Sequence, residues 1–231
     1  MLGIVSIILS MALSFYAQWK VSSTFKKYST VPNQKGRDGA DIARQILMIA
    51  GINDVSVERV AGNLTDHYDP TSKTLRLSDS VYASTSIAAL GVAAHEAGHA
   101  IQHAKSYTPL TLRSSIFPVV SISSRASTPI ILAGMLLSSF GGTFGLTLLY
   151  IGIVLFIAVV AFQLVTLPVE FDASARAIRM LEDNNFLSGS EITPAKKVLN
   201  AAALTYVAAA IVSVMELIRL ILMVMGRNQN E

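Results

Sequence analysis

The sequence predicts an α+β metallo-domain combined with about four transmembrane helices. Three observations carry this expectation. The chain of 231 residues is 52% hydrophobic and only 14% charged, more apolar than an average soluble domain. Its apolar residues are gathered into four runs, as a bilayer requires. Between the first two runs, short β-type segments lead into a helical segment that contains His95-Glu96-Ala97-Gly98-His99.

The four runs set the frame. Leu2 to Trp19 is uncharged and ends at Trp19 and Lys20, an interfacial pairing. It lacks a basic stretch before it, so an uncleaved anchor is expected rather than a signal peptide. Ser127 to Phe140 is shorter, with Arg125 just before it placed to snorkel to the interface. Gly145 to Leu167 is long, uncharged and closed by Pro168. Ala201 to Met225 is interrupted only by Glu216 and Arg219, for which a local ion pair is the expected explanation. The domains that follow are an anchor at 1–20, a cytosolic metallo-domain at 21–115, a transmembrane hairpin at 116–168, a cytosolic helical segment at 169–200, and a C-terminal transmembrane helix and tail at 201–231.

The net charge is +3, and its distribution predicts topology. Lys20, Lys26, Lys27, Lys35 and Arg37 follow the first run. Arg176, Arg179, Lys196 and Lys197 separate the third run from the fourth. The positive-inside rule places both segments in the cytoplasm of a multi-pass cell-membrane protein, with both termini outside. These charges flank spans instead of forming a stripe, which argues against nucleic acid as a partner. There is no cysteine, hence no disulfide framework and no thiolate ligand.

Within the soluble stretch, Asp38 reads as the N-cap of a helix to about Ala50, with Gly51 in its C-terminal turn. Strands are expected at about 54–60, more weakly at 64–68, and at 73–77, with Asp69-Pro70-Thr71-Ser72 as a turn. The 73–77 strand offers an edge that could pair with an extended substrate. A helix from about Ser84 to His103 follows. It is rich in Ala and Gly, so other backbones can approach it closely.

That helix carries the chemistry. Histidines four apart lie on one face a turn apart, so both imidazoles can reach one ion. Glu96, beside the first of them, can act as general base for the attacking water. By average residue frequencies, HExxH arises by chance in roughly one chain in a hundred of this length. A catalytic zinc needs a third protein ligand. His103 lies a further turn along the same straight helix and cannot converge with the other two. His67, Asp66 and Asp69 read as turn residues. Glu170 is the expected third ligand. It shares a face with Ala173, Ser174 and Ala177, a surface small enough to pack against the Ala/Gly-rich helix. Asp172 is the competitor, but Arg176 four residues on offers it an ordinary ion pair.

Taken together, Asp66-His67-Tyr68-Asp69-Pro70, Leu75-Arg76-Leu77-Ser78, Ala93 to Ala100 and Glu170-Phe171-Asp172-Ala173-Ser174 resemble integral-membrane zinc peptidases of the HtpX and CAAX-prenyl-protease type. They resemble the YugP-type neutral zinc metallopeptidases more closely, and over nearly the whole chain. The resemblance implies a zincin-like (gluzincin-type) metallo-domain, one Zn2+ held by His95, His99 and Glu170, and Glu96 as base. In the HtpX-type pattern an Asp follows the Ala of the second motif and supports a histidine ligand. Ser174 stands there instead and could accept that hydrogen bond, or Asp172 could replace it. The expected activity is a zinc-dependent endopeptidase at the cytoplasmic membrane surface, acting on flexible or membrane-associated peptide or protein. The rival readings are hydrolysis of a lipid-linked amide and a non-catalytic scaffold. Arg176, Tyr107 and Tyr206 are the candidates for oxyanion stabilisation.

Overall fold

The structure is a computed structural model and describes residues 2–140 and 143–228. In chain order it contains α1 (Leu2–Tyr28), α2 (Gly39–Ile49), β1 (Ser56–Val60), β2 (His67–Asp69), β3 (Thr74–Ser78), α3 (Ile87–Ala104), α4 (Thr108–Ser138), α5 (Thr143–Asp183) and α6 (Gly189–Asn228). Among the described residues, α1, α4, α5 and α6 are long and apolar enough to cross a membrane.

The chain forms two compact units. One comprises Ala17–Thr111 with Pro168–Thr205, and the other Met1–Tyr16, Leu112–Leu167 and Tyr206–Glu231. The first unit holds the sheet, α2, α3 and parts of all four long helices. Asp38 caps α2 by accepting from the Asp41 N–H at 2.8 Å, and Gly51 follows the helix at φ +73°. This is a conformation that glycine adopts without a Cβ penalty. Ser86 caps α3 in the same way, accepting from the Ala89 N–H. Ile42, Ile46, Leu75, Leu77 and Leu90 are fully buried in one core between α2, α3 and the sheet. Each stabilises the unit by about 1.5–3 kcal/mol.

The sheet has the order β1-β3-β2, with β1 parallel and β2 antiparallel to β3. β3 is therefore central, and both its edges are occupied. The expectation of a substrate-pairing edge on 73–77 is overturned, because β1 and β2 take the hydrogen bonds it would have offered. The weaker strand expected at 64–68 lies at 67–69. Its start is pinned by the buried side of Asp66, which accepts from the Ser78 N–H and hydroxyl at 2.7 and 2.9 Å.

In the second unit, α4 and α5 meet through glycines. A Cβ on Gly134 would stand 2.7 Å from the Leu149 nitrogen, and one on Gly152 would stand 2.5 Å from the Ile131 side chain. Such small residues allow the close helix contacts typical of apolar hairpins. Ile131, Leu149, Ile153, Leu220 and Val224 form its core. Arg219 and Glu216 form an i,i+3 pair within α6, with Nε to Oε2 at 2.7 Å.

All four long helices outrun the apolar runs. α5 continues through Pro168, where a helix end was expected, and α4 passes through Pro118 and Pro129. Proline costs a helix one hydrogen bond. In apolar helices, side-chain hydroxyls and neighbouring segments re-satisfy freed carbonyls. The carbonyl that Pro168 frees is that of Leu164, four residues back, and Thr166 separately donates its hydroxyl to the Phe162 carbonyl at 2.8 Å.

Candidate metal centre

α3 is enclosed on nearly every side. From Ile87 to Gln102 its residues are buried, except for a half-buried strip of Val92, His95 and His99. The i, i+3, i+7 spacing of that strip is a single helix face. Both histidines therefore lie along the one line where the motif helix meets solvent. Their rings sit edge to face with centroids 4.7 Å apart.

The third group comes from α5. Its buried line is Glu170, Ala173, Ala177 and Leu181, and it lies directly on α3. A Cβ added to Gly98 would stand 2.7 Å from the Ala173 carbonyl oxygen, so this contact exists only because residue 98 has no side chain. The approach brings Glu170 Oε2 to 3.3 Å from His95 Nε2 and 3.6 Å from His99 Nε2. Potential ligand atoms of all three residues lie within 4.8 Å of one another, a group that could hold a metal ion.

The donor chemistry fits zinc. Two imidazole nitrogens and one carboxylate oxygen make a three-ligand set that leaves a position for water or substrate. Tetrahedral zinc with bonds of about 2.0–2.2 Å holds neighbouring ligand atoms about 3.4 Å apart. The two carboxylate–imidazole distances bracket that spacing. Burial works against charging His99. The hydrogen bond to Glu170, the charges of Glu96 and Glu170, and a bond to Gln102 outweigh it and raise the pKa. The pocket thus attracts positive charge even where solvent is scarce.

Each histidine is held from behind at Nδ1. The Ser174 hydroxyl lies 3.1 Å from His95 Nδ1, and Gln102 Oε1 lies 3.0 Å from His99 Nδ1. Gln102 is completely buried. Its Nε2 donates to the Val169 carbonyl and to Asp172 Oδ2, both at 2.8 Å. Those two acceptors fix the amide orientation, so Oε1 faces His99 and accepts from Nδ1–H. His99 Nε2 then faces Glu170 and, when it carries no proton, has its lone pair free for a metal ion. Asp172 also accepts from Arg176 Nε at 2.6 Å, the expected i,i+4 pair, and reaches His99 only through Gln102. Sequence reasoning missed Gln102. Its position on α3, three residues past His99, is the one signal that could have found it.

His67, His103, Asp69 and Arg176 are held by other partners. His67 is exposed, with Nδ1 at 2.9 Å from the Thr65 carbonyl. His103 Nδ1 is 2.8 Å from the Tyr68 hydroxyl. Asp69 accepts from the Thr71 N–H and the Ser72 hydroxyl, closing the turn. Arg176 lies over the Tyr107 ring at 5.6 Å, and Tyr206 falls in the other compact unit. Glu96 is buried, with 8% of its surface exposed.

No solved structure matches the chain. A curated relative from Bacillus subtilis (strain 168), named "Putative membrane protease YugP", is 52% identical over 231 residues, covering all of both chains. A family model described as "Putative neutral zinc metallopeptidase" matches residues 3–225. With nearly the whole chain matched, and with two half-buried imidazoles and a buried carboxylate grouped as a metal ion would need, the protein belongs to the neutral zinc metallopeptidase family.

Proposed function

We propose that the protein is an integral-membrane zinc endopeptidase with a zincin-like metallo-domain, in which His95, His99 and Glu170 hold the ion and Glu96 is the general base. The observation that carries the reading is the convergence of both imidazole Nε2 atoms on one buried Glu170 oxygen, 3.3 and 3.6 Å away.

A bound zinc supplies Lewis acidity toward the scissile carbonyl and the attacking water. Glu96, one residue after His95 and largely buried, would take a proton from the attacking water and return it to the leaving amine. Ser174 and Gln102 keep the two imidazoles facing the centre and hold their tautomers. The half-buried Val92–His95–His99 strip is the approach for substrate. With β3 enclosed, a pairing edge for an extended peptide falls to β1 or β2. Charge placement supports a site on the cytoplasmic side, with both termini outside.

The test is metal content and casein cleavage of the detergent-purified protein. Wild type should hold about one zinc per chain and cleave. Glu96→Gln should keep the metal and lose cleavage, and Glu170→Ala should lose both. A wild type that binds zinc yet cleaves no protein would sink the peptidase reading and favour a lipid-linked amide as substrate. Glu96→Gln with unchanged activity would remove Glu96 from the mechanism.

A further inference from the structure

A second site lies on the same compact unit, away from the histidines. An open cavity of about 650 Å³ is formed where α1 meets the beginning of α6, and its walls include Trp19, Lys20, Lys27, Tyr28, Lys197 and Asn200. Among the described residues, no acidic side chain lines it. Among the described residues, none of the three lysines forms an ion pair, and Lys27 leans over the Tyr28 ring at 5.5 Å. Three ammonium groups around one concave surface repel one another unless an anion joins them.

The sequence says where this cavity lies relative to lipid. The apolar run of α1 ends at Trp19 and that of α6 begins at Ala201, and the cavity wall contains both boundaries. Tryptophan at such a boundary sits at headgroup level. Basic pockets between spanning helices at this level suit anionic headgroups. We propose that this cavity binds the phosphodiester headgroup of an anionic membrane lipid. Lys20, Lys27 and Lys197 meet the phosphate, Asn200 offers its amide, and the Trp19 ring lies beside the glycerol and upper acyl carbons. The occupant is a lipid and not a soluble phosphate, because the wall continues from the lysines into Trp19, which closes the first run, and Ala201 and Leu204, which open the last.

Native mass spectrometry of the full-length protein in detergent tests this, with phosphatidylglycerol and phosphatidylcholine as probes. Wild type should retain phosphatidylglycerol in preference. At roughly fivefold per lysine, Lys20→Gln/Lys197→Gln should weaken retention about 25-fold. Lys20→Arg/Lys197→Arg should hold it, as should Lys26→Gln/Lys105→Gln, which removes the same charge outside the cavity. Melting of each variant identifies any that fails to fold, and in that case Lys27→Gln alone carries the test, with an expected loss of about fivefold. Equal weakening by the Lys26/Lys105 pair would overturn the proposal in favour of diffuse surface charge. Displacement of the lipid by millimolar inorganic phosphate would overturn it in favour of a soluble anion.

Discussion

Gln102 connects the two helices that build the metal centre through one side chain. Replacing it with leucine keeps the volume but leaves the Val169 carbonyl, Asp172 and His99 Nδ1 without their buried partner. Each such loss costs roughly 1–3 kcal/mol. Partners behind metal ligands typically change affinity by about 10–100-fold when removed. Gln102→Leu should therefore raise the zinc Kd by about that factor, measured by competition with a chromogenic chelator. Unchanged affinity would make Gln102 a packing residue only. At the turn before β3, Asp69 has its pKa held down to about 2, by the Ser72 hydroxyl first and then by the Thr71 N–H, the Ser72 N–H and Arg76. A depressed carboxylate stabilises the fold above its unfolded value of 3.8 and loses that contribution as pH falls toward the folded value. The difference in melting temperature between wild type and Asp69→Ala should thus be flat at neutral pH and shrink below about pH 4. A difference that grows on acidification would reverse the assignment.

At the scale of elements, the contact of α3 with α5 rests on Gly98. An alanine there would put its Cβ 2.7 Å from the Ala173 carbonyl oxygen, so the helices must separate at the level of Glu170. Overpacking of this kind costs about 1–3 kcal/mol. Gly98→Ala should lower both melting temperature and zinc occupancy. Gly91→Ala is the control, because its Cβ would meet Ala195 at an ordinary 3.8 Å. Equal behaviour of the two variants would separate the metal centre from this packing. The sequence made this contact legible, since small residues on two segments announce close approach before any coordinates exist. The ends of the long helices were less legible. Proline is read as a terminator because it removes an N–H, yet Pro168 lies inside α5, where an apolar setting gives the backbone no better alternative than helix. The role of β3 was misjudged for a different reason. Strand pattern marks which residues face a core, but sheet order depends on pairings between distant segments, and Ser56–Val60 pairs parallel to β3 without any local signal. Gln102 was overlooked because its one signal, a place one helical turn past His99, is shared by many glutamines that bond no histidine.

For the whole molecule, metal and membrane make separate predictions. A ligand that binds only the folded state stabilises it by about 4 kcal/mol at a thousandfold excess over Kd. Chelation should lower the melting temperature of wild type and leave that of Glu170→Ala unmoved. An equal chelator response in both would mean that the stabilising metal lies elsewhere. Topology is testable because the chain has no cysteine of its own. Single cysteines at Asn63 and Phe140 can be probed in intact cells with an impermeant maleimide. Phe140→Cys should label directly, and Asn63→Cys only after permeabilisation. The reverse pattern would place the metallo-domain outside.

The two histidines and Glu96 are encoded before the α4–α5 hairpin, and Glu170 follows it on the far end of α5. On the proposed ligand set, a ribosome-bound chain that has emerged only as far as α4 has its base and two ligands but no third. The centre closes only once the hairpin has been made and its apolar helices have found lipid. On the proposed function, biosynthesis itself then acts as a safety catch, keeping a nascent peptidase inert toward the unfolded chains around it until it reaches its membrane.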